Sequence, residues 1–219
     1  MIDEKKGYKN IFQTTFLFGF VQAFNILIKI ALNKIAAILL GASGIGTIGL
    51  FNNSIRFLNA TGLGVSQSAV KDISEANALN DKDRFSETIS LVNNVIIGTA
   101  FLGVIVTVLL SPLLSRWTFG NDNYTFAYIL LSLAVGIGIL SDGQLTILKG
   151  MRQLRALAKA SLWGAVTGFA TAIPLYYFFG SKGIVPAIII TTLSILFFSN
   201  FYVRKINYNR VRFTYNELK

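Results

Sequence analysis

Ile35 to Ile55, IAAILLGASGIGTIGLFNNSI, carries no charge and is closed on each side by a cation, Lys34 before it and Arg56 after it. An uncharged run of about 20 residues is the length a helix needs to cross a hydrocarbon core roughly 30 Å thick. The two flanking cations belong to a wider pattern. From Asn10 to Val70 the only charged residues are Lys29, Lys34 and Arg56, and all are positive. A cation at bilayer depth costs about 3 kcal/mol or more, so it is expected to face a cavity or a partner rather than lipid. With no acid near them in sequence, the three cations predict an anionic partner.

The same reading extends along the chain. Asn10–Ile28, Thr88–Ser115, Asn123–Ser141, Ala160–Ser181 and Gly183–Val203 are also uncharged, and each has about the length that spans a membrane. The whole chain is 53% hydrophobic and 14% charged, against about 25% charged in soluble domains. Continuous apolar runs predict helices; a membrane barrel would show short alternating strands. The expected fold is therefore all-α, a polytopic membrane protein with six transmembrane helices near 11–37, 46–70, 87–111, 124–148, 158–179 and 183–203. Residues 1–203 form the membrane unit and 204–219 a basic cytoplasmic tail or linker. Turn signals separate the helices at Gly41–Gly46, at Pro112 and Gly120–Asn123, and at Gly180–Gly183. The polar stretch Lys71–Glu87 is compatible with a helix on the membrane surface. The run after Met1–Lys9 is long and lacks a small-residue cleavage site, so it reads as a retained span and not as a removed signal peptide.

Basic residues predict the orientation. Fifteen of the 20 lysines and arginines fall on one side of the proposed membrane and only Arg116 and Lys182 on the other. The basic side is the cytoplasmic one, which places both termini there. The asymmetry accounts for the net charge of +10 without nucleic acid, through topology and lipid contact. Cysteine and histidine are absent, which removes thiol nucleophiles, imidazole bases and thiolate or imidazole metal sites. No cofactor and no catalytic residue is expected.

Polar residues form stripes on the first two helices. Thr15, Gln22, Asn25, Lys29 and Asn33 share one helical face, and Asn52, Arg56, Asn59 and Ser66 share another. Joined by a short glycine-rich turn, the two stripes would line one cavity. Lys34 can equally snorkel to the headgroups, Lys29 can do either, and the amides can simply join helices by hydrogen bonds. Arg56 lies nearest the midplane, where snorkelling is hardest. Apart from Glu87 at the margin of the third helix, Asp142 is the only acid inside a predicted span. An ion pair with a neighbour is its plain explanation and coupling to an ion its sharper one. Gly164 and Gly168 form a GxxxG pair suited to close helix packing. Trp117, Tyr124, Tyr176, Tyr177 and Tyr202 fall where interfacial aromatics belong.

Leu40–Gly46, Gly62–Val70 and Lys149–Gln153 resemble, in order and spacing, the amino-terminal half of polysaccharide flippases of the multidrug/oligosaccharidyl-lipid/polysaccharide exporter superfamily. That resemblance implies one six-helix lobe of a two-lobed transporter in the bacterial inner membrane. Its substrate would be a polyprenyl-pyrophosphate-linked oligosaccharide, and its partners membrane lipids, a carboxy-terminal lobe and polysaccharide polymerase machinery. The expected substrate-binding residues are Arg56, Lys29, Lys34, Gln22, Asn25, Asn52 and Asn59. A cation or drug exporter of the same superfamily, a membrane-embedded glycan-transfer enzyme using Asp72, Glu75, Asp81 and Asp83, and an assembly scaffold remain alternatives.

Overall fold

The computed structural model describes the backbone of residues 2–78 and 82–205, and side chains at Phe16, 19–60, 68–78 and 85–205. Helix α1 (Ile2–Ala78) is followed by α2 (Lys82–Leu109), the short α3 (Ser111–Phe119), α4 (Thr125–Gly150), α5 (Leu154–Phe179), a 3-10 turn (Gly180–Gly183) and α6 (Ile184–Arg204). No strand occurs among the described residues. The expected side chains Thr15, Ser66, Asp81 and Asp83, the basic residues Lys5, Lys6, Lys9, Lys82 and Arg84, and the tail 206–219 lie outside the described residues, as do the side chains of residues 61–67.

Among the described residues four helical stretches are long and apolar enough to cross a membrane: Gly19–Ala60, Phe85–Leu109, Thr125–Gly150 and Leu154–Arg204. The first has 42 residues and the last 51. At 1.5 Å per residue these would be about 63 and 77 Å long if straight, twice the hydrocarbon thickness or more. Neither is straight. The first is broken at Gly41, whose φ of 70° and ψ of −173° are not helical. The last is broken by the turn at Gly180–Gly183.

The break at Gly41 is narrower than the glycine-rich stretch suggests. The helix resumes at once and continues through Gly44, Gly46 and Gly49, where a loop over Gly41–Gly46 is expected from sequence. Gly41 needs the left-handed φ that L-residues avoid. Gly44 is needed for space, because a Cβ there would collide with the Leu40 side chain. The second difference is at residue 70, where the expected helix end is absent and α1 carries on to Ala78 through the helix-compatible polar stretch. The third is α3, inside the connection bounded by Pro112 and Gly120–Asn123. Proline is tolerated in a first helical turn, and Gly120 closes α3 in a left-handed conformation, donating its N–H to Arg116 O.

Helix α4 is the centre of the bundle and packs against α1, α2 and α6. Small residues set the close approaches. Where Gly136 lacks a Cβ lies Val104 of α2; at Gly143 it is Ile96, so α2 runs antiparallel to α4. Ser54 meets Tyr128, Asn59 meets Gly138 and Ile73 meets Gly150, so the part of α1 beyond Gly41 runs parallel to α4. The second layer is the pair α5 and α6. Gly164 fits against Ile195 and Gly168 against Thr191, so the GxxxG motif joins two helices of one chain.

Candidate functional site

The end of the bundle where α4 begins is tied together. Phe51, Phe119, Tyr124 and Tyr128 form an aromatic cluster, with Phe119 stacked on Tyr124 at 3.9 Å and Phe51 edge-on to Tyr128 at 5.5 Å. The fully buried Tyr128 donates its hydroxyl proton to Thr118 Oγ1 at 2.9 Å and shares a 2.8 Å hydrogen bond with Ser54 Oγ. Ser115 Oγ donates to Asn121 O and accepts from Tyr124 N. Arg116 donates twice to the Asp122 carboxylate, at 2.7 and 2.9 Å. That guanidinium, through its hydrogen bonds, holds the Asp122 carboxyl below the usual carboxylate range. Trp117 and Tyr177 are exposed as interfacial aromatics should be, whereas Tyr124 and Tyr176 point into the protein.

Against this anchored end, the predicted polar stripes sit on open surface. Gln22, Lys29, Asn33, Lys34, Asn52 and Arg56 are all exposed, Asn59 is half-buried and Asn25 is buried. Beyond Gly41 the residues facing the bundle are Gly44, Phe51 and Leu58. Asn52, Asn53 and Arg56 lie on the other side together with Gly46, Gly49 and Ala60. A Cβ at Gly46 or Gly49 would meet nothing within 4 Å, so the glycines of this face serve no close approach within the chain. Arg56 is three residues before Asn59, which lies level with Gly138 near the middle of α4. Arg56 is therefore about 5 Å of helix rise from mid-bundle.

Among the described residues the only ion pair is Arg116–Asp122. Among the described residues Lys29, Lys34 and Arg56 thus have no carboxylate in salt-bridge reach, and Asp142 no cation. The sequence suggests a neighbouring cation as the plain partner of Asp142, but Lys149, two turns on, makes no such bridge. Instead Thr146 Oγ1 donates to the Asp142 backbone carbonyl. The Asp142 side chain is exposed.

The structure brings Asn52 and Arg56 onto one open face and turns Asn59 from it toward α4 and α6. Sequence reasoning missed two further amides. Gln144 Nε2 of α4 approaches Asn93 Oδ1 of α2 at 3.4 Å. Gln144 Oε1, Asn25 Oδ1 and Asn59 Oδ1 are buried with no hydrogen-bond partner among the described residues. A signal was present, since amides within apolar runs need partners at this depth.

A hollow of about 270 Å³ opens where α1 ends and α2 begins, lined by Asp72, Glu75, Ala76, Thr88, Leu91 and Val92. It is separate in sequence from the polar face of α1. No group of three or more Asp or Glu side chains able to hold a metal ion occurs among the described residues. No family model, no curated protein and no solved structure matches the chain.

Proposed function

We propose that this chain is a membrane-spanning lobe that translocates an anionic, pyrophosphate-linked lipid, with the open face of α1 as its substrate surface. The observation that carries the proposal is the exposure of Lys29 and Arg56, without a carboxylate in reach among the described residues, on helices otherwise apolar enough for lipid. Uncompensated cations at that depth require an anion or water. A diphosphate supplies two adjacent charged groups, and Arg presents a planar fork suited to phosphate oxygens. Asn52 adds a neutral donor one turn from Arg56. A glycan attached to the diphosphate accounts for the amides Gln22, Asn33 and Asn53 on the same open surfaces.

In this proposal the two long apolar stretches each cross twice, turning at Gly41 and at Gly180–Gly183, which makes six crossings. In this reading both termini lie on the basic, cytoplasmic side, and the membrane is the bacterial inner membrane that the family resemblance implies. A second lobe covers the open face of α1, and alternating exposure comes from rocking of the lobes around the bound diphosphate. No bond is made or broken.

Binding to the purified chain in lipid nanodiscs tests the proposal. A polyprenyl pyrophosphate should bind at least about ten-fold more tightly than the matching uncharged polyprenol, a difference of about 1.4 kcal/mol. Arg56→Ala should erase most of that preference while leaving helical content unchanged. Equal binding of the charged and uncharged lipids by the wild-type chain would overturn the assignment.

A further inference from the structure

At the end of the bundle where α5 begins and α6 ends, the two helices carry matching rows of side chains. On α5, Arg155, Lys159 and Trp163 follow at four-residue spacing and so share one face. On α6, Phe197, Phe201 and the capping residue Lys205 do the same. All six are exposed. The fit of Gly164 against Ile195 and of Gly168 against Thr191 sets the register of this antiparallel pair, which puts Arg155 level with Arg204 and Lys159 level with Asn200. Trp163 stacks on Phe198 of α6, with ring centroids 6.2 Å apart, and joins the two rows into one surface. Lys205 Nζ lies over the Phe201 ring, 4.4 Å from its centroid. That ammonium therefore reaches back along α6 toward the apolar stretch.

Depth follows from the sequence. The uncharged run Ala160–Ser181 is bounded by Lys159 and Lys182, and at 1.5 Å per residue it covers roughly 30 Å, the thickness of a hydrocarbon core. Lys159 then stands at headgroup level, with Trp163 one turn deeper. No Asp or Glu occurs from Leu154 to Arg204, so neither helix neutralises its own cations. Rings at the acyl boundary with cations just beyond them complement a phospholipid, glycerol and upper chain against the aromatics and phosphate against the cations. The cations are divided between two helices. Arg155 and Lys159 stand on α5, Arg204 and Lys205 on α6, with axes about 8–10 Å apart. One phosphate reaches one of these pairs. Two phosphates joined by a short linker reach both, the second held at high effective concentration by the first. We propose that the α5–α6 surface binds an anionic glycerolipid with two phosphates, of the cardiolipin type, drawn from the surrounding leaflet. The site lies on other helices than the α1 surface and stands independently of it.

Trp163 can report on its own site. The chain has two tryptophans, and Trp117, on α3, lies at the opposite end of the bundle. In the full chain carrying Trp117→Phe, in phosphatidylcholine nanodiscs, cardiolipin with brominated acyl chains should quench Trp163 fluorescence saturably. Brominated phosphatidylglycerol, compared at equal phosphate, should bind about five-fold more weakly or worse, because it engages fewer cations at once. Arg155→Gln combined with Lys159→Gln should weaken cardiolipin about ten-fold and Lys205→Gln about five-fold. Lys182→Gln, at the far end, should leave binding unchanged. Circular dichroism checks that each variant keeps its helical content. Quenching that merely tracks mole fraction, alike for both lipids, overturns the site. So does undiminished cardiolipin binding in the double variant or in Lys205→Gln. Unbrominated polyprenyl pyrophosphate should leave the quenching in place; relief of quenching by it would overturn the assignment to a leaflet glycerolipid.

Discussion

The open side of α1 and the open side of α2 are built from different materials. On α2 the exposed residues include Leu91, Val95, Ile97, Phe101, Leu102, Ile105, Val106 and Leu109, interrupted by Asn94 and Gly98. Beyond Gly41, α1 exposes Gly46, Gly49, Asn52, Asn53, Arg56 and Ala60, together with Ile45 and flanked by Leu50 and Phe57. Both helices are apolar enough on average to sit in a membrane. Average hydropathy therefore conceals the distinction that matters, which is what each face is made to touch. The α2 face matches acyl chains. The α1 face offers a cation, amides and bare backbone, which is poor against lipid and good against water, an anion or another protein surface.

The largest expected effect comes from transplanting the cation. Phe101→Arg puts a guanidinium on the face read as lipid-exposed and should destabilise the inserted protein by about 3 kcal/mol, seen as reduced yield and a lower thermal midpoint in detergent. Arg56→Leu should leave both nearly unchanged. A stabilising Arg56→Leu would mean that α1 faces lipid after all, and the comparison would fail.

Accessibility gives a finer test, helped by the absence of cysteine from the chain. A single cysteine at Asn52 or Asn53 should react with a membrane-impermeant, water-soluble maleimide at least about ten-fold faster than one at Phe101 or Leu102, since only thiols in contact with water form the reactive thiolate. Equal rates would place the two faces in the same medium.

The smallest effect concerns how α1 is held. Tyr128→Phe removes the hydroxyl that joins Ser54 of α1 to Thr118 of α3. Loss of this bridging should cost about 1 kcal/mol of stability. It should raise amide hydrogen exchange around residues 50–55 and leave α2 near residues 95–105 unaffected. Equal loosening of both helices would show that the hydroxyl stabilises the bundle as a whole.

The all-helical, membrane-length character of the chain was legible in its uncharged runs, because hydrocarbon thickness leaves a simple trace in sequence. So were the polar stripes, because helical periodicity alone puts Asn52 and Arg56 on one side. Other features were not legible. Glycine costs roughly 1 kcal/mol in a helix interior, so Gly41–Gly46 reads as a loop, whereas only Gly41 leaves the helix and Gly44 and Gly46 stay in it. Pro112 reads as a boundary and instead opens α3, since the first turn has no need of its missing N–H. Tyr124 and Tyr176 have the composition of interfacial anchors, yet their inward direction is set by Phe119 and by the bundle, which lie elsewhere in the chain. Asn59 shares a stripe with Arg56 by spacing, and only the approach of Gly138 reveals that it turns toward α4.

Gly41 leaves the two arms of α1 connected through one pair of backbone torsions. Such a joint has no slack. It permits swinging and twisting but forbids one arm from sliding along its axis without dragging the other. The arm bearing Lys29 and the arm bearing Arg56 consequently behave as two levers on a common pivot, and a ligand gripping both would convert its own displacement into rotation about that point.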